Sequence, residues 1–280
     1  GDMGLGGYLA WTAVAREIVK SGKAEKVLPC EIYNNKQVRI IENEIWSNSP
    51  YITTDYFFSE KTVMLQLNNP EANYCKKDTP DKAYHRWDKH IIEQICEFYE
   101  IQNPTLKCEI FFTEEERRKV LSLTGDLNEE FITIEPGSKT NYTQNRIYPF
   151  DKWQKVVDEL SKEIQIVQIG KSGSRVLDNV TDMTGFTTFR EAAFLIGKSR
   201  MFLSTEGGLT HASTTTNTPA LVVITGYQHE RMVAYPQNIN LNIASHGPCG
   251  LKRKCSECAS DAAKHEWREI VDTVRRELCL

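Results

Sequence analysis

The stretch "MFLSTEGGLTHASTTTNTPALVVITGY" concentrates residue types that can hold and orient a charged substrate. An apolar run delivers Ser204, Thr205, Glu206, Gly207 and Gly208 to what reads as the carboxyl end of a strand, with a helix expected to open near Leu209 or Thr210. The first amides of a helix lack partners within it, so Gly207, Gly208, Leu209 and Thr210 are candidates for meeting a phosphate. Glu206 is badly placed for an anion and well placed to accept hydrogen bonds from sugar hydroxyls. A second strand end, "EPGSKTNYTQNRIYPFDKW", carries Ser138, Lys139, Thr140 and Arg146, whose hydroxyls and cations suit a diphosphate leaving group that gains charge in the transition state. A cap with a tight turn in the first stretch, and a solvated loop in the second, are the plainer readings of the same residues.

Two further stretches have the composition of a site. "GDMGLGG" places four glycines and Asp2 before an amphipathic segment, but Gly4 onward gives only G-x-G-G with no strand ahead of it, so it does not match a dinucleotide fingerprint. A parallel-sheet domain would begin with a strand feeding this loop, and the chain starts after that strand would end. "HGPCGLKRKCSECASDAAKH" holds Cys249, Cys255 and Cys258, and with His246 or His265 these could complete a tetrahedral zinc site. Only "CSEC" has the ligand spacing of a pair, so the preferred reading is no metal, with reduced thiols or a local disulfide. The basic run Lys252, Arg253, Lys254 reads as a solvated loop that could also face an anionic membrane surface.

The elements that position these residues are clearest in the second half. "EEFITIE", "IQIVQIG", "RMFLSTE" and "PALVVITG" are short apolar runs read as strands; "YPFDKWQKVVDELSKE", "TTFREAAFLIGKS" and "LTHASTTTNT" between them read as helices. That alternation predicts right-handed crossovers and a parallel sheet covered on both faces, a Rossmann-like domain over 126–265. The first half, 1–125, is noisier, with helices at "GYLAWTAVAREIVKSG" and "KHIIEQICEFYEI" and strand candidates around "KVLPCEIY", "VRIIENEIW" and "TVMLQLNN". The turn-rich "NPEANYCKKDTPDKAYHRWDKH" is a candidate substrate-side surface. "AKHEWREIVDTVRREL" supplies a last amphipathic helix over 266–280.

Composition bounds the function. The 280 residues carry a net charge of -4, with 40% hydrophobic and 26% charged, a balance that fits a globular protein and gives no sign of nucleic-acid binding. No run approaches the roughly 20 apolar residues of a membrane span and no signal segment is evident, so the expectation is cytoplasmic, with peripheral contact at the inner membrane face.

From Phe131 to about Tyr227 the chain resembles the ADP-heptose:lipopolysaccharide heptosyltransferase family, glycosyltransferase family nine. The "PG" strand end, "RIYPFDKW", "TGFTTFREAAFLI" and "EGGLTHAS" occur in that family's order. The resemblance implies an α/β GT-B fold: two Rossmann-like domains facing across a cleft, acceptor side first and donor side second, and a C-terminal helix returning to the first. It implies transfer of a sugar from a nucleotide diphosphate sugar to an acceptor hydroxyl of a glycan or glycolipid, with inversion and no required cofactor, in lipopolysaccharide or other surface-glycan synthesis. Matched by position, Asp2 stands for the base and Arg146 for a lysine that meets the phosphates. Glu206 stands for an aspartate on the donor sugar, His211 for the histidine after it, and Thr187 and Thr188 for the loop near the diphosphate. A nucleotide-sugar epimerase of the same fold and a catalytically silent nucleotide-sugar-binding module are the competing readings.

Overall fold

The computed structural model describes residues 4–34, 36–72, 75–78, 81–85, 87–137 and 142–280, with backbone alone for 75–78 and 83–85. Helix α1 (Leu5–Lys20) starts at an extended Gly4 and ends through Ser21 and Gly22, whose φ of +77° suits glycine. Strands β1 (Lys26–Tyr33), β2 (Gln37–Ile40) and β3 (Thr62–Gln66) follow, then the antiparallel pair β4 (Cys75–Asp78) and β5 (Ala83–His85), which falls within the turn-rich stretch. The first sheet has the order β2-β1-β3 and is mixed: β3 lies parallel to β1, whereas β2 folds back antiparallel across a short turn. Helices α2 (Ile91–Phe98) and α3 (Glu114–Leu123) each open on a reciprocal cap, His90 with Glu93 and Thr113 with Glu116.

The second sheet is built from β6 (Phe131–Glu135), β7 (Gln165–Gln168), β8 (Thr181–Asp182), β9 (Phe202–Thr205), β10 (Ala220–Ile224) and β11 (Ile239–Asn242). Between these strands run α4 (Phe150–Leu160), α5 (Phe189–Ile196), α6 (Gly208–Ser213) and α7 (Glu230–Val233), and after them α8 (Ser256–Lys264) and α9 (Arg268–Leu278). All its strand pairs are parallel, in the order β11-β10-β9-β6-β7-β8. Chain order reverses between β6 and β9, and the crevice beyond the carboxyl ends of such neighbours is where open parallel sheets hold ligands. The two loops singled out in the sequence leave those two strands.

Each face of this sheet has its own core. One holds Val167, Phe202, Ala193, Ala212 and Ile224 together with Leu9, Trp11 and Val14 of α1 and Ile92 and Ile95 of α2, so the two halves of the chain share a hydrophobic interior. Helix α1 lies against α6 and α3 against α5. The other face packs Trp153, Val156, Val157 and Leu160 of α4 against Ile270, Val271, Val274 and Leu278 of α9.

The last helix therefore corrects one expectation. Among the described residues its apolar stripe packs on α4 rather than on the first half, Arg275 bridges to Glu163 at 2.5 Å, and Arg200 donates to the Leu278 carbonyl at 2.8 Å. Burial of that stripe requires a complementary apolar surface, and α4 offers one close by, while α1 and α2 cover the opposite face.

Candidate active site

Arg146 and Glu206, sixty residues apart in sequence, form an ion pair at the reversal point, Arg146 Nε meeting Glu206 Oε1. Glu206 immediately follows β9, and its backbone amide donates to the Val223 carbonyl at 3.3 Å, which anchors the turn to β10. Arg146 is held from two more sides: its guanidinium lies over the Tyr227 ring at 4.6 Å, and Nη2 donates to Gln228 Oε1 at 3.0 Å. The Glu206 side chain is 4% exposed and that of Arg146 is 25% exposed, so the pair is buried at the carboxylate and open at the guanidinium. Among the described residues neither Glu206 oxygen accepts a hydrogen bond of proper geometry, and a buried carboxylate in that condition leaves acceptor capacity for a ligand. Burial raises the Glu206 carboxyl above its ordinary range, Arg146 opposes the shift, and Cys249 adds to it. Glu135, at the end of β6, is pushed up to about 8 by burial.

His211 continues the site from α6. Its Nδ1 stands 2.6 Å from the Tyr235 hydroxyl, which also meets Cys108 Sγ at 3.3 Å, and the His90 ring packs edge-on against Tyr235 at 4.6 Å. Burial, then the neighbouring charge of Arg146, lowers His211 to about 4; burial, then His211, lowers His90 to about 3. Both imidazoles are neutral at pH 7, so their role there is hydrogen bonding rather than charge.

The first turns of α1 and α6 meet at closest packing. A Cβ at Gly6 would stand 2.8 Å from His211 Cδ2 and 3.0 Å from Gly208 Cα. The start of α1, directly after Gly4, is thereby fixed against the "EGG" turn. Next to it, Leu5, Tyr8, Arg39, Ile40, Ile41, Glu42 and Asn43 line a groove of about 420 Å³.

The remaining sequence candidates sort plainly. Helix α6 begins at Gly208, one residue ahead of expectation, from an extended Gly207. The Thr210 hydroxyl is occupied within that turn, accepting from the Gly207 amide at 3.0 Å and donating to the Gly207 carbonyl at 2.7 Å, while Leu209 is buried in the shared core. Thr188 caps α5 by accepting from the Glu191 amide at 3.2 Å, and Thr187 precedes it, half-buried. Phe189 brings that loop to the site, since a Cβ at Gly208 would stand 3.2 Å from its ring. Asp2, Ser138 and Lys139 lie outside the described residues. Tyr227, Gln228, Tyr235, His90 and Glu135 were not singled out; Tyr227 closes the opening motif and Gln228 follows it, a position from which a strand-end side chain can reach Arg146.

The cysteine stretch folds against the same strand ends. Cys249, Cys255 and Cys258 are free thiols, His246 joins Cys255 and Cys258 with all three ligand atoms within 4.8 Å of one another, and Cys249 Sγ is 3.5 Å from Cys258 Sγ. His265 is elsewhere, its ring between the Tyr148 hydroxyl at 2.8 Å and Glu269 at 3.2 Å.

The comparisons agree with this architecture. The family model for glycosyltransferase family 9 (heptosyltransferase) matches residues 78–261. Among solved structures, the E. coli ADP-heptose lipopolysaccharide heptosyltransferase II superposes with a TM-score of 0.53 at 12% identity, over 68% of this chain and 62% of that one. The chain thus spans under two thirds of that relative's length. The iron-containing, dodecameric heptosyltransferase TibC of enterotoxigenic E. coli, in complex with ADP-D-β-D-heptose, gives 0.66 at 13% identity over 99% and 74%. E. coli heptosyltransferase WaaC with ADP gives 0.54 at 10% over 99% and 95%. No curated protein matches by sequence. At such identities the likeness establishes the fold, α/β and GT-B-like.

Proposed function

The chain belongs to glycosyltransferase family 9, and from that premise we propose that it transfers a sugar from a nucleoside diphosphate sugar to an acceptor hydroxyl with inversion, in the synthesis of lipopolysaccharide or another surface glycan. The observation that carries this reading is the buried Glu206, charge-paired with Arg146 yet hydrogen-bonded by none of the described residues, at the reversal point of a parallel sheet. Sugar hydroxyls would fill its acceptor positions, and the exposed edge of Arg146 would face the diphosphate.

In the proposed reaction the acceptor oxygen bonds to the anomeric carbon as the bond from that carbon to the diphosphate oxygen breaks, one in-line displacement that inverts the centre. Asp2 takes the acceptor's proton as general base. Arg146, with Lys139 and Ser138 and the first amides of α6 from Gly208 to Thr210, offsets the charge gathering on the leaving diphosphate. The Thr187–Thr188 loop completes the nucleotide side. The groove beside Leu5 and Tyr8 is the acceptor's approach. The basic run at 252–254 and the 88%-exposed Phe57 support contact with a membrane that presents a lipid-linked acceptor.

Thermal shift against nucleoside diphosphates and their sugars tests the donor side. A nucleotide at about 100 times its dissociation constant stabilises by about 2.7 kcal/mol, and Arg146→Ala should abolish the shift. No shift with any nucleoside diphosphate, or isomerisation of a donor sugar without transfer, would contradict the reading.

A further inference from the structure

We propose that His246, Cys249, Cys255 and Cys258 form a tetrahedral site for one thiolate-preferring transition ion, Zn²⁺ or Fe²⁺, which braces the loop that positions Arg146. The inference stands apart from the transferase reading, since metal content can be measured whatever the protein transfers.

Three features of the cluster point to an ion. The first is spacing: in a tetrahedral site with metal–sulfur bonds of about 2.3 Å, two sulfurs stand about 3.8 Å apart. Cys249 and Cys258 are at 3.5 Å, close to that value and far from the roughly 2.05 Å of a disulfide. The second is the histidine. His246 Nδ1 is 2.6 Å from the Gly247 carbonyl, a contact that places the proton on Nδ1 and leaves Nε2 with a lone pair that can ligate an ion. Nε2 is buried without a hydrogen bond among the described residues, and Asp261 Oδ2, 3.7 Å away, is already engaged by the Ser245 amide at 2.7 Å and hydroxyl at 3.0 Å. A metal-binding histidine commonly donates its other nitrogen to a carbonyl in this way. The third is the sulfur environment. The Leu251 amide points at Cys249 Sγ from 3.5 Å, while Cys255 stands at the N-cap position of α8 and Cys258 in its first turn, so these two sulfurs leave one helix end.

The cluster is tied to the active site through Asn145. Its Oδ1 accepts from the Cys255 amide at 2.8 Å, and its Nδ2 donates to the carbonyls of Leu251 at 2.6 Å and Arg253 at 2.9 Å. Arg146 is the next residue. From the other side, the Cys249 and Gly250 amides donate to the carbonyls of Gly226 and Tyr227 at 2.9 and 3.0 Å, and Tyr227 is the ring on which Arg146 lies. An ion at the four ligands would fix both supports of the guanidinium. The fold supplies what the spacing lacked: "CSEC" is one pair, and His246 with Cys249 is the other.

The test is elemental analysis of the full chain purified under reducing conditions, with a Zn²⁺ or Fe²⁺ reconstitution arm. About one equivalent per chain, taken up by the protein and released when the thiols are alkylated, is expected, and the two metals are separated by the analysis and by visible absorption. His246→Ala and Cys258→Ser should each lower the retained metal by tenfold or more, and chelation should lower the wild-type melting temperature. Less than a tenth of an equivalent in wild type after reconstitution, or a Cys249–Cys258 disulfide by mass spectrometry, would overturn the proposal without touching the donor-binding test.

Discussion

Glu206 is the residue on which most depends, because its burial and its missing hydrogen bonds are both costly without a ligand. Glu206→Gln keeps the volume, removes the charge and leaves Arg146 without its counter-ion. Its expected signature is a fall in kcat of about 10² to 10³, the range seen when one transition-state contact is lost. Arg146→Lys should retain more activity than Arg146→Ala, since a point cation still meets phosphate, but it forfeits the stack on Tyr227 and the Gln228 contact.

The buried histidines make a separate prediction about pH. His90 and His211 have folded-state values of about 3 and 4, below the ordinary imidazole value of about 6.5. A depressed imidazole favours the neutral form in the native state, so its contribution to stability is fully present above about 6.5 and is lost as pH falls toward 4. Urea midpoints measured from pH 8 to pH 4 should fall over that window. His90→Asn, which keeps a side-chain acceptor to cap α2, should flatten the decline by about one proton's worth; an unchanged slope would remove His90 from the account.

At the scale of elements, the start of α1 and the buried Arg190 decide how the halves meet. Arg190, 3% exposed at the head of α5, makes two contacts to Glu116 at 2.5 and 3.0 Å and donates to the carbonyls of Glu44 at 2.9 Å and Phe111 at 2.7 Å. Burial tends to raise the Glu116 carboxyl, but hydrogen bonds from Arg190 and the Thr113 amide outweigh it and hold it below the ordinary range. Arg190→Ala strands that carboxylate and the two carbonyls, with an expected loss of about 3–5 kcal/mol in chemical denaturation. Gly6→Ala should separate α1 from α6 and weaken donor binding with little change in helix content by circular dichroism.

The elements also show where sequence reading succeeds and where it stops. Strands β6, β7, β9 and β10 were legible because a strand buried on both faces is a continuous apolar run, and their order in sequence with intervening helices dictates a parallel sheet. Glu206 and Arg146 were each legible as strand-end residues, but their pairing depends on β6 and β9 being neighbours, which no local pattern encodes. Helix α9 has a stripe that any periodicity reading finds; the stripe states that the helix is buried and not which surface buries it, so its packing on α4 was missed. His246 and Cys249 are joined to the "CSEC" pair only by the fold, which loops the chain back between Cys249 and Cys255. Strand β2 was legible at the start of "VRIIENEIW", but its antiparallel pairing with β1 was not, since four partly exposed residues carry no mark of strand direction.

For the molecule as a whole, the shared core implies that the two halves do not melt independently. Residues from α1, α2, β1, β9, α6 and β10 occupy one hydrophobic cluster, so heating should give one calorimetric transition, and two well-separated ones would contradict the shared interior. Against that common frame Arg146, Glu206 and His211 gather at one end of the second sheet, with the start of α1 brought up to them.

The central claim is that this end of the sheet moves a sugar from a nucleoside diphosphate to a hydroxyl with inversion, and a transfer assay read by NMR of the new anomeric centre tests it most directly. The account predicts a product of opposite anomeric configuration to the donor, formed by wild type and lost by at least 10² in rate on Asp2→Asn or Arg146→Ala while the fold persists. Retained configuration, or transfer undiminished in both variants, would contradict it.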